Sequence, residues 1–123
     1  MVEPETAQTA TARNVDAACD LFRALGSPNR LAIVLELTGG GRCVHELVRH
    51  LGISQALASQ HLRVLRTSGL VVGTRRGKEI VYALADEHVA HIARDAVAHG
   101  HERIERPSST RNRIDRRIKE ETR

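Results

Sequence analysis

Asp86, His88, His99 and Glu102 carry two carboxylates and two imidazoles at a spacing that could bind a metal ion, but not from one chain. Residues 86–102 read as a single amphipathic helix. Eleven residue steps from His88 to His99 rotate by about 1,100°, within roughly 20° of three turns, so the two imidazoles share a face. They also lie about 16 Å apart along the axis, too far for one ion whose bonds are roughly 2 Å long. An antiparallel copy of the helix, placed about a two-fold axis near Ala93 and Arg94, removes the difficulty. Asp86 then meets the partner's Glu102, and His88 meets the partner's His99. Two oxygen and two nitrogen donors converge at each of two equivalent sites, a closed tetrahedral set of the zinc type. The plainer reading of the same residues is a solvated helix face with scattered histidines.

The donor set favours Zn2+. Nickel and cobalt commonly take additional ligands, which His91 and His101 could supply, so Ni2+ or Co2+ stands as the alternative. A metallohydrolase would need an open coordination position, a general base and a substrate pocket. Four protein ligands close the tetrahedron, and a chain with one Phe, one Tyr and no Trp has little from which to build a pocket. The expectation is therefore not an enzyme.

The scaffold that must hold these residues is small. A chain of 123 residues makes one domain, with a modest core of Leu, Val, Ile and Ala. Small helical domains of this kind commonly complete their burial by dimerising. No apolar run reaches membrane-spanning length, and Met1–Ala12 has neither the basic start nor the apolar stretch of a signal peptide. A cytoplasmic protein without a membrane partner is expected. Cys19 and Cys43 are too few for a disulfide framework and read as free thiols or ligands.

Charge is unevenly spread over the net +4. Residues 42–84 carry +5 and residues 106–123 carry +4, which leaves −5 for the rest. A basic middle and a basic tail on an otherwise acidic chain point to a polyanion, although a basic run can also serve only solubility.

Along the chain, residues 1–12 read as a disordered arm, 13–105 as the folded domain and 106–123 as a flexible basic tail, disordered or with a short helix around Ile114 and Ile118. A first helix is expected from about Asn14 to Leu25. Ser27 then caps a second, with Pro28 at its first position and a stop at Gly39-Gly40-Gly41. A third covers about Val44–Leu51, with Gly52 just past its end. Ser54 caps a fourth through about Thr67, and residues 70–75 and 79–84 form a hairpin across Arg76-Gly77-Lys78. The helix carrying the four metal donors comes last. The fold class is mostly α with a small β-hairpin: a short helix, a tight corner, a longer helix and a basic hairpin follow in winged helix-turn-helix order. The longer helix is sized for the major groove of double-stranded DNA. Gln55 and Gln60 suit adenine, while Arg63, Arg75, Arg76 and Lys78 suit guanine or phosphate. Polar residues on such a helix could equally be ordinary surface.

The wording of these segments is more specific than their pattern. Leu25-Gly26-Ser27-Pro28-Asn29-Arg30-Leu31, Glu46-Leu47, Ser54-Gln55-Ala56-Leu57-Ala58-Ser59-Gln60-His61-Leu62 and the stretch from Leu65 to Val71 occur in order. Together they resemble the ArsR/SmtB family of metal-sensing winged-helix repressors, over about Ala17 to Glu105. The resemblance implies a homodimer formed through the first and last helices, and operator DNA, here an inverted repeat, bound in the apo form and released by metal. It implies DNA contacts from the wing and from the Ser54–Thr67 helix, including Ser54, Ser59 and His61. The D-x-H…H-x-x-E arrangement resembles the family's zinc-sensing site, with Asp86 and His88 from one chain and His99 and Glu102 from the other. Another family site uses Cys-x-Cys at the start of the third helix. This chain has Cys43-Val44-His45 there, so Cys43 is expected as a small buried residue, with a weaker Cys43–His45 zinc site or a Cys19–Cys43 redox switch as alternatives. A constitutive DNA binder without a ligand would explain the charges but not the four metal donors.

Overall fold

The computed structural model describes residues 6–105, so residues 1–5 of the expected arm and the whole basic tail lie outside the described residues. Five helices and three strands follow in the order α1 (Ala7–Leu25), α2 (Pro28–Leu37), β1 (Arg42–Cys43), α3 (Val44–Leu51), α4 (Gln55–Thr67), β2 (Val71–Arg76), β3 (Glu79–Leu84) and α5 (Glu87–Glu105). Of the described residues, those up to Ala93 form one compact unit, and the second half of α5, from Arg94, belongs to another.

Local chemistry explains most boundaries. The Ser27 hydroxyl accepts the Arg30 N–H at 3.3 Å, Pro28 needs no N–H at the first helical position, and α2 starts there. Arg30 in turn donates its Nε to the Ala24 carbonyl at 2.6 Å and an Nη to the Arg23 carbonyl at 3.5 Å, which also accepts the Gly26 N–H, so the C-terminus of α1 is bound to α2. Gly52 ends α3 in the left-handed conformation (φ 67°), and its N–H bonds to the Val48 carbonyl. Two residues later the Ser54 hydroxyl accepts the Leu57 N–H at 3.1 Å and opens α4.

Two boundaries differ from expectation. Helix α1 starts at Ala7, inside the segment read as disordered, because the Thr6 hydroxyl accepts the Thr9 N–H at 3.1 Å and an alanine-rich turn follows. That polar, exposed turn shows no apolar periodicity and is held by capping and helix propensity. The second difference is β1, which turns the expected hairpin into a three-stranded antiparallel sheet of order β1-β3-β2. Arg42 pairs with Tyr82 and Cys43 with Val81, on the edge of β3 that β2 leaves open. On the other edge the register runs from Val71↔Leu84 to Arg76↔Glu79. The positive φ at Gly77 alone fits a II′ turn, with Lys78 as its second central residue.

The core of the first unit joins Ile33 and Val34 of α2, Leu47 of α3, Leu62 and Leu65 of α4, Leu70, Val71, and Val89 and Ala93 of α5. Full burial of each Leu or Ile is worth about 1.5–3 kcal/mol, and together these side chains hold α2, α3, α4 and the start of α5 in one core. The helices are also pinned at their surfaces: His50 Nδ1 of α3 meets Glu36 Oε2 of α2 at 3.0 Å. Among the described residues no helix is long and apolar enough to cross a membrane.

Candidate nucleic-acid interface and metal centre

Helix α4 divides its residues sharply. Ala58, Leu62 and Leu65 are buried, whereas Ser54, Gln55, Ser59, Gln60 and Arg63 are exposed. The exposed set offers hydroxyls, amides and a guanidinium, the groups that read base edges and phosphates. His61 is different. It is half-buried, and its Nδ1 is enclosed without a hydrogen-bond partner, so it stands at the margin of the open face. Arg75, Arg76 and Lys78 are exposed on the wing.

Tertiary structure brings Gln55, the first residue of α4, and Lys78, in the wing turn, onto one cleft of about 250 Å³. Cys43, Val44, His45, Glu79, Ile80 and Tyr82 complete its lining. The first residue of α4 and the wing turn therefore share one cleft, whose lining mixes polar, charged and apolar side chains. Nothing in the sequence pattern singled out Tyr82, which reaches this cleft through its register against β1 and β2. Cys43 is buried as expected (8% exposed), His45 is exposed beside it, and Cys19 is exposed on α1. Both cysteines are free thiols.

At the start of α3 the Glu46 carboxylate accepts the Cys43 N–H at 3.1 Å and pairs with Arg42 at 3.6 Å. The Cys43 backbone and side-chain hydrogen bonds, helped by Arg42 and Arg49, hold the Glu46 carboxyl below its ordinary value against a smaller desolvation effect. This capping box joins the edge strand β1 to the first turn of α3.

Of the four residues expected as metal donors, Asp86 and His88 sit at the entrance to α5, both exposed. Asp86 Oδ1 accepts the Val89 N–H at 3.2 Å and so caps the helix. His99 and Glu102 are exposed in the second half of α5, as are His91 and His101 elsewhere on the helix. Among the described residues no three of His, Cys, Asp and Glu gather in one chain as a metal set. The entrance to α5 is tied back to α4 by backbone bonds. Ala85 donates to the Leu70 carbonyl at 2.9 Å, and Leu70 donates to the Leu65 carbonyl of α4, also at 2.9 Å. Large apolar side chains stay in water on both terminal helices: Val15 and Phe22 on α1, Val97 and Ile104 on α5.

Comparison with known proteins follows the same lines. The family model described as "Bacterial regulatory protein, arsR family" matches residues 27–72. The HTH-type transcriptional repressor SmtB of Mycobacterium tuberculosis is 56% identical over 88 residues, which make up 72% of this chain and 65% of that protein. The chain thus spans about two-thirds of that relative's length. A transcriptional repressor SmtB homolog of Synechocystis is 33% identical over 98 residues, covering 80% of this chain and 72% of its own. Among solved structures, a homodimeric winged helix-turn-helix DNA-binding domain from Mycobacterium bovis, described as a possible ArsR-family transcriptional regulator, superposes with a TM-score of 0.72. It has 27% identity and covers 88% of this chain and 97% of its own.

Proposed function

The chain belongs to the ArsR family of bacterial regulatory proteins, and on that footing we propose that it is a transcriptional repressor that binds operator DNA as a homodimer and lets go when zinc binds between the two α5 helices. The observation that carries the DNA-binding part is the shared cleft of Gln55 and Lys78, which joins the exposed face of α4 to the wing. In each half-site of an inverted repeat, Gln55, Ser59, Gln60 and Arg63 reach base edges in the major groove, with Ser54 and His61 at the margins. Arg75, Arg76 and Lys78 hold the flanking phosphates. The work is done in the cytoplasm and involves no catalysis.

Dimerisation through α1 and α5 is supported by the apolar side chains that each leaves exposed, Val15 and Phe22 on one, Val97 and Ile104 on the other. The fit of a metal rests on the donor set itself. Asp86, His88, His99 and Glu102 are all exposed, and two imidazoles with two carboxylates match a closed four-coordinate zinc site. One chain does not gather them, so each site takes Asp86 and His88 from one protomer with the partner's His99 and the partner's Glu102. When bound, the ion supplies a cross-link between the two last helices. Asp86 follows β3 by two residues, and the Ala85–Leu70–Leu65 backbone bonds tie that junction to α4. A shift of Asp86 toward the partner therefore moves the recognition helix and the wing with it. Metal and DNA then oppose each other through a reciprocal coupling, typically about 5–150-fold in affinity.

Operator binding by fluorescence anisotropy, with zinc and with chelator, tests this reading. Zinc is expected to weaken operator binding at least several-fold, and operator to weaken zinc binding by the same factor. Equal operator affinity in both conditions would contradict it. A second reading, with Cys43 and His45 as the sensing site, has one observation in its favour: both line the cleft that holds Gln55 and Lys78. It takes over if His88→Ala and His99→Ala still release DNA on zinc addition. A six-coordinate spectrum of the cobalt-substituted dimer would move the assignment to nickel or cobalt, with His91 or His101 as added ligands.

A further inference from the structure

The geometry points to a second task for Asp86, that of a positioning group whose helix-capping bond holds its carboxylate ready for the metal; this rests on the metal reading above. Asp86 Oδ1 is engaged by the Val89 N–H at 3.2 Å, one of the four N–H groups that the start of α5 leaves without a helical partner. That bond fixes the carboxylate against the first turn, and the side chain remains exposed. Oδ2 is the atom that the cap does not use. The residue that donates the bond is itself held in the core: Val89 is 4% exposed and belongs to the same buried cluster as Leu62 and Leu65. Ala85, just before Asp86, is held by the Leu70 carbonyl at 2.9 Å. The carboxylate is therefore anchored from both sides, and His88 lies two residues on, in the same helical turn.

A metal ligand held by a hydrogen bond from its surroundings does not have to be ordered when the ion arrives, and losing such a partner typically costs about 10–100-fold in metal affinity. Cap and ligand use different oxygens, so the two roles coexist in the loaded protein. Capping persists with metal bound, and the Val89 amide stays protected. The device explains why an aspartate, and not the longer glutamate, suits this position. Glutamate would offer the same charge but is a poor N-cap, because its extra methylene carries the carboxylate away from the first turn.

Three variants of the full chain separate the roles, each measured for apo thermal unfolding and for zinc affinity against a chromophoric chelator. Asp86→Ser keeps a capping oxygen and removes the ligand; it is expected to hold the apo Tm and to lose zinc binding. Asp86→Glu keeps a carboxylate and removes the cap; it is expected to lower the apo Tm by about 4–8 °C and to weaken zinc by about 10–100-fold. Asp86→Ala is expected to lose both. Hydrogen exchange at the Val89 amide, read by NMR, is expected to be no faster with zinc than without. If Asp86→Glu matches the wild type in both Tm and zinc affinity, or if zinc accelerates Val89 exchange, the positioning role is overturned while the metal site stands. If Asp86→Ser binds zinc as tightly as the wild type, Asp86 is not a ligand and the metal reading itself fails.

Discussion

Replacing Lys78 by Ala tests whether the wing acts through phosphate. Lys78 is the second central residue of the II′ turn, exposed, and lines the same cleft as Gln55. In a symmetric dimer the substitution removes two ammonium groups. Each phosphate contact contributes roughly 0.9 to the slope of log affinity against log salt, so the slope should fall in magnitude by roughly 1.8. Between roughly 50 and 200 mM salt, a fourfold change, the deficit of the variant relative to the wild type should shrink by about 12-fold. Gln55→Ala is the matched control. It alters the other wall of the same cleft without changing charge, so it should cost about 1–3 kcal/mol of discrimination between operator and altered sequence and leave the slope unchanged. Anisotropy titrations of one operator duplex at four or five salt concentrations give both numbers. An unchanged slope in Lys78→Ala, or an equal slope change in Gln55→Ala, would refute the division of labour between wing and recognition helix.

Other outcomes follow from the same geometry. His88→Ala and His99→Ala should each retain apo operator affinity and lose the zinc response, because in a two-fold dimer either substitution damages both sites; zinc titration of the preformed complex reads this directly. Glu46 has a depressed carboxyl, so its stabilising contribution is present above the ordinary carboxylate value and is lost as the pH falls through the lower folded value. Thermal unfolding of Glu46→Gln should therefore fall below wild type near neutrality and converge with it in acid. Leu62→Ala, at a side chain only 1% exposed, should cost about 2–5 kcal/mol in chemical denaturation. Gln60→Ala, two residues earlier on the open face, should stay within about 0.5 kcal/mol of wild type.

Much of this protein is local and therefore legible in the residues alone. Ser27 and Ser54 open α2 and α4, Gly52 closes α3 and Gly77 turns the wing, each through chemistry completed within a few residues. The face shared by His88 and His99 likewise follows from helical period, and α4 shows its buried and open sides in its spacing. What required the tertiary structure depends on residues far apart in sequence. Strand β1 is two residues long, too short for any period to show, and exists because Arg42 and Cys43 meet Tyr82 and Val81 some forty positions later. The cleft that unites Gln55 with Lys78, the enclosure of His61 Nδ1 and the Ala85–Leu70–Leu65 tie all arise in the same way. A third case lies between. The Asp86 cap and the early start of α1 are local bonds, but the first lay hidden under a metal-ligand reading and the second under a polar composition that resembles disorder. Periodicity reports which face a helix buries. It cannot report which distant backbone group, or which unoccupied sheet edge, the buried side chains bring within hydrogen-bonding distance, because that is decided only when the core closes.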